Sequence, residues 1–106
     1  MEELVEQMKV VLASVFSLYL KSHYFHWNVE GPNFPQYHEF LGDLYEEIYG
    51  SIDTLAEEIR TLGAYAPGSF GRFRELTSIQ DEMTIPPALE MINRIAEDNQ
   101  IGRAHV

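Results

Sequence analysis

An all-α fold is predicted by three observations. Apolar residues recur every three or four positions over three long stretches, helix breakers separate those stretches, and no segment alternates apolar and polar residues as a strand would. The chain has 106 residues, which is room for one domain, and its 45% apolar and 12% aromatic content suits a packed core rather than a disordered chain. A domain this short buries a modest share of its surface, so partner subunits are expected to contribute to its stability.

The first helix is expected over Glu2 to Trp27. Met8, Leu12, Val15, Tyr19, Ser22 and His26 line one face, Leu4, Val11 and Leu18 widen it, and Glu2, Glu3 and Glu6 sit where the helix dipole favours acids. The run Asn28-Val29-Glu30-Gly31-Pro32-Asn33 ends it. A second helix is expected from Asn33 as N-cap, with Pro35 in the first turn and Gln36 completing a capping box. It should continue to about Leu62, with Gly63 at C′. Its apolar stripe is Leu41, Tyr45, Ile48, Ile52, Leu55, Ile59 and Leu62, flanked by many acids. The turn-rich connection 63–83 holds one short helix, Phe70 to Leu76, capped by Ser69. A third long helix is expected to be capped by Thr84, with Pro86 and Pro87 in its first turn and an apolar face of Leu89, Ile92, Ile95 and Ala96.

Residues 101–106 do not extend that face. They match the conceptual translation of a common sequencing-adapter stretch, ATC GGA AGA GCA CAC GTC, that runs into a stop codon. The expected division is therefore one domain over 1–100 and a scar over 101–106, a genuine short tail being the lesser alternative.

Composition narrows the chemistry. With no cysteine there is neither a disulfide framework nor a thiolate metal site, so any metal must be held by His, Asp and Glu, which suits Fe, Mn or Zn. A net charge of -10 repels nucleic-acid backbones and attracts small cations, though on charge alone an acidic solvated surface is the favoured account. The residues between Lys9 and Lys21 are too few to span a membrane, no signal-peptide pattern is present, and a cytoplasmic location is expected.

Asp53 and Glu57 lie four apart, which puts both carboxylates on one helix face; a divalent cation between them would relieve their repulsion. Acidic pairs at this spacing are also common on solvated helices. His23, His26 and His38 cluster about the first interhelical turn, and imidazoles beside a carboxylate pair form a recurrent iron environment in helical bundles. A lone histidine on an apolar face is, however, usually a satisfied core residue.

The stretch His26-Trp27-Asn28-Val29-Glu30-Gly31-Pro32-Asn33-Phe34, then His38-Glu39, then Asp53-Thr54-Leu55-Ala56-Glu57-Glu58 resembles the signature of the Dps-like miniferritins, a branch of the ferritin superfamily. The resemblance spans roughly Val11 to Asn99 and thins after Gly63. It implies a ferritin-like antiparallel four-helix bundle, here lacking its last helix. It implies that His26 and His38 of one subunit and Asp53 and Glu57 of its two-fold partner bind Fe(II) and oxidise it, preferably with hydrogen peroxide. It further implies ferric mineral storage inside a dodecameric cage. Trp27, beside a ligand, is read either as an interceptor of oxidising equivalents or, preferentially, as a core anchor. The DNA binding of some relatives depends on a lysine-rich tail; the segment Met1-Glu2-Glu3-Leu4-Val5-Glu6 has none, and no DNA binding is expected. Many relatives carry an acid four residues after the second histidine. Here Gly42 stands there, and the neighbouring Asp43 is rotated about 100° around the helix. The competing reading is a noncatalytic helical oligomer of the same fold with a degraded metal site. A bundle-core di-iron or dimanganese oxygenase is set aside, because the chain has no Glu-x-x-His repeats.

Overall fold

A computed structural model describes the backbone of residues 1–104 and the side chains of residues 1–100. The order of elements is α1 (Glu2–Asn28), α2 (Phe34–Thr61), α3 (Phe70–Leu76) and α4 (Ala88–Ala104), with no strand among the described residues. The all-α expectation holds. The α4 backbone continues through Ala104, but the side chains of the supposed scar at 101–106 lie outside the described residues.

Glu2 and Glu3 open α1, and Val29, in an extended conformation, ends it while its N–H still reaches Phe25 O at 2.9 Å. The chain then reverses through Gly31, whose φ of 114° lies in the left-handed region. So short a connection between two long, closely packed helices makes α1 and α2 antiparallel. Pro35 stands in the first turn of α2 as expected. The capping box does not form: Asn33 makes no side-chain cap bond, its backbone at φ -104°, ψ 29° being outside the extended conformation that caps adopt. At the other end Gly63 takes φ 90°, its N–H bonds Arg60 O, and Ala64 N–H bonds Ile59 O, which closes the helix as expected of a C′ glycine.

The segment from α2 to α4 runs lengthwise along α1. Ser14 Oγ meets Ser78 Oγ at 2.9 Å, Lys21 Nζ donates to Gln80 O at 2.9 Å, and Tyr24 Oη donates to Thr84 O at 2.7 Å. Contacts that advance together in both segments carry the chain from the middle of α1 toward its end. α3 lies on this path, with Ser69 Oγ accepting from Arg72 N–H at 3.2 Å as its predicted cap and Phe73 stacked on Phe16 at 4.9 Å. α4 therefore starts beside the end of α1 and runs back along it, parallel to α2.

The start of α4 differs from expectation. Thr84 is no cap; its N–H and hydroxyl both bond Glu82 Oε2, and the helix begins only at Ala88. A residue preceding proline is disfavoured in the α conformation, so Pro86 and Pro87 keep Ile85 and Pro86 out of the helix. The buried face of α4 is Met91, Ile95 and Asp98, whereas Leu89 and Ala96 are exposed.

The principal core gathers Phe25, Val29, Leu41, Met91 and Ile95, with Leu18, Tyr24, Tyr37 and Leu44 packed around it. It sits at the turn end of the hairpin and fixes the two helix ends that carry His26 and His38. An apolar groove of about 520 Å³ separates α2 from α4, lined by Val15, Leu18, Phe40, Leu44, Ile48 and Ile92 among others.

Candidate metal centre

The last turn of α1 presents His26 and the second turn of α2 presents His38. Their half-buried rings stack at 3.8 Å between centroids with 17° between planes. Each ring bonds the other residue's backbone: His26 Nδ1 lies 2.7 Å from His38 O, and His38 Nδ1 lies 2.8 Å from His26 O. A carbonyl only accepts, so both Nδ1 atoms carry the proton and donate it. In each neutral ring the lone pair is thereby assigned to Nε2, the arrangement that backbone carbonyls impose on metal-ligating histidines. Phe34 covers the outer face of His38 at 5.0 Å.

His23, one turn before His26, lies in an aromatic nest. It stacks on Tyr45 at 3.7 Å, faces Trp27 at 4.1 Å, and its Nδ1 is 3.0 Å from Tyr19 Oη. Desolvation, followed by the charge of neighbouring His26, lowers the His23 pKa; desolvation and then Tyr49 and Tyr45 raise that of Tyr19. Trp27 is 59% exposed, so the core-anchor reading is not met. It follows the fully buried Phe25 on α1, and the face that Phe25 turns to the core necessarily turns Trp27 outward. Tyr19, Tyr45 and Tyr49 were not singled out as site residues. The available signal was the four-residue spacing of Tyr19 with His23 and of Tyr45 with Tyr49, which places each pair on one helix face.

Asp53 and Glu57 are exposed near the far end of α2. At 1.5 Å rise per residue, Asp53 stands roughly 22 Å along the helix from His38. The structure thus brings the two histidines together and holds the two carboxylates apart from them. Among the described residues no three His, Cys, Asp or Glu side chains converge as a metal site within one chain. Nor is any described helix long and apolar enough to cross a membrane.

Comparison with known proteins agrees with this architecture. The ferritin-like domain family matches residues 5–103. The DNA protection during starvation protein of Brevibacillus brevis is 37% identical over 92% of this chain and 69% of its own length; antigen TpF1 of Treponema pallidum is 37% identical over 84% of this chain and 52% of its own. The chain therefore spans between half and about two thirds of these relatives. The crystal structure of TpF1 superposes with a TM-score of 0.92 at 30% identity, covering 98% of this chain and 67% of that one. The Dps structure from Bacillus brevis gives 0.85 at 33% identity, covering 97% and 74%. With a family match across nearly its whole length and relatives at this identity, the chain belongs to the ferritin-like family, in its Dps-like miniferritin branch.

Proposed function

We propose that the complete protein stores and detoxifies iron, binding Fe(II) between two subunits and oxidising it, preferably with hydrogen peroxide. His26 and His38 of one chain supply the imidazole nitrogens, and Asp53 and Glu57 of a second copy supply the carboxylates. The observation that carries this reading is the reciprocal pair of Nδ1–H···O=C bonds, which leaves both Nε2 lone pairs available to a ligand, while among the described residues no acid of the same chain joins them. Two nitrogens and two carboxylates form a donor set suited to Fe(II), and the net charge of -10 favours the approach of cations.

Two ferrous ions each give up one electron, the O–O bond of one peroxide breaks, and two protons complete two waters. The protein's part is to hold both ions where one two-electron oxidant reaches them, which avoids single-electron release of hydroxyl radical. Dodecameric assembly would place the resulting ferric mineral in an enclosed space.

Stopped-flow oxidation of Fe(II) by peroxide tests the reading, comparing the protein with His26→Ala. Oxidation well above the buffer rate and lost in the variant is expected. A rate equal to buffer in the unsubstituted protein would instead favour the noncatalytic helical oligomer, the reading that Gly42 at the usual acidic position supports.

A further inference from the structure

A second set of donor atoms gathers beside the two histidines and takes no part in the function proposed above. Tyr19 and His23 stand four apart on α1, and Tyr45 and Tyr49 four apart on α2, so each pair projects from one helix face. With Glu46 they line a cleft of about 350 Å³. Three phenols, one imidazole and one carboxylate border it, with no lysine or arginine among them.

Packing fixes most of these groups. The His23 ring lies flat on Tyr45, with 3.7 Å between centroids and 8° between planes, and Tyr49 rests against Tyr19 at 5.0 Å. Tyr19 Oη and His23 Nδ1 are 3.0 Å apart and hydrogen-bonded. Two donors each about 2.1 Å from one ion, and at right angles about it, stand roughly 3 Å apart, so this pair is already spaced as neighbouring ligands. Phenolate is a hard, anionic oxygen and favours a small trivalent cation over a divalent one. Burial first, then Tyr49 and Tyr45, raises the Tyr19 pKa; a cation among these phenols replaces their mutual repulsion with attraction.

We propose that this cleft is a second metal site, selective for Fe(III), in which Tyr19 Oη and His23 Nδ1 are the fixed ligands and Tyr49 Oη and the Glu46 carboxylate close on the ion. Tyr45 is a positioning residue, its ring holding the His23 plane. Binding moves no electrons. The Tyr19 and Tyr49 hydroxyls release their protons to solvent, and His23 binds as the neutral ring protonated at Nε2. Fe(III) is the product of the oxidation proposed above, so the use of the site as a first stop for oxidised iron rests on that reading. Binding itself does not, because Fe(III) can be supplied directly.

The test adds ferric nitrilotriacetate to the metal-free protein. Electron donation from phenolate to Fe(III) produces a visible charge-transfer band that imidazole and carboxylate ligands do not, and resonance Raman on that band shows tyrosine ring modes. The band is expected in the unsubstituted protein, lost in Tyr19→Phe and weakened in Tyr49→Phe, both of which keep the ring and its packing. Tyr65→Phe, at a side chain 82% exposed beyond the end of α2, should leave it unchanged, as should Asp53→Ala combined with Glu57→Ala. No band in the unsubstituted protein overturns the proposal, and so does a band that survives Tyr19→Phe. A band lost with Asp53 and Glu57 overturns it too, since the coloured ion would then sit at the shared centre. Unsubstituted protein that shows the band yet oxidises Fe(II) no faster than buffer supports the ferric site and sinks the ferroxidase reading alone.

Discussion

Lys21 Nζ stands 2.8 Å from Asp98 Oδ2, with both side chains less than one tenth exposed, and the same ammonium donates to Gln80 O. A single ammonium thus joins α1, the crossover and α4. Charges this deeply placed are strongly destabilising when one partner is removed, because the other is left buried without compensation. Asp98→Ala is accordingly expected to cost about 3–5 kcal/mol, whereas Lys21→Met combined with Asp98→Leu should be nearly neutral. Urea unfolding of the three proteins checks this; a single variant as stable as the parent would show that water reaches the lysine. Nothing in the sequence marked this pair, since its members are far apart and each lies on a helix rich in charge. The histidines were different. Their residue types and spacing made His26 and His38 visible as candidates, but the bonds that set their tautomers go to main-chain carbonyls, which every residue has and no pattern singles out.

The helices themselves were legible where their ends depend on local chemistry. Gly63 closes α2 and Ser69 caps α3 through bonds made within a few residues, so sequence alone located them. The start of α4 was misread because two opposed local rules meet there, proline's tolerance in a first turn and its exclusion of helix from the residue before it; the second prevailed. Thr84 caps nothing here; it is instead held by Glu82, which lies in the crossover before α4. Glu82 accepts from the Thr84 hydroxyl and N–H and pairs with Arg94 on α4, which fixes the crossover to the helix it feeds. The hydroxyl bond, ahead of the other contributions, holds the Glu82 carboxyl below its ordinary pKa; desolvation opposes this, and the Thr84 N–H and Arg94 add to it. A depressed folded-state pKa contributes stability above the unfolded value that is lost as pH falls through the folded one. Glu82→Gln should therefore lower thermal stability at neutral pH, and the deficit should shrink as the solution is acidified through the carboxylate range. A deficit independent of pH would mean that Glu82 acts by packing alone. Which face of α4 is buried was also beyond the sequence. Met91 with Ile95 and Leu89 with Ile92 make equally apolar ladders, and only the position of α1 selects between them.

For the molecule as a whole, the separation of the histidine pair from the carboxylate pair matters most. α2 carries His38 near its start and Asp53 and Glu57 near its end, and a rigid helix cannot fold back to join them. A shared site is reached only if a second copy lies antiparallel across the first, so that each chain lends its histidines to one site and its acids to the other. Two-fold symmetry then makes the two sites equivalent. This yields an outcome that a site within one chain cannot produce. Protein carrying His26→Ala and His38→Ala, and protein carrying Asp53→Ala and Glu57→Ala, should each fail to oxidise Fe(II). When the two are co-expressed in equal amounts, half of the randomly formed dimers are mixed. Each mixed dimer unites the intact histidines of one chain with the intact acids of the other at one of its two sites. About a quarter of the parent's oxidation rate should return, by that pairing. If both variants are inactive and the mixture remains so while assembling normally, the two pairs do not meet across an interface, and the carboxylates at the far end of α2 serve only as solvated charge.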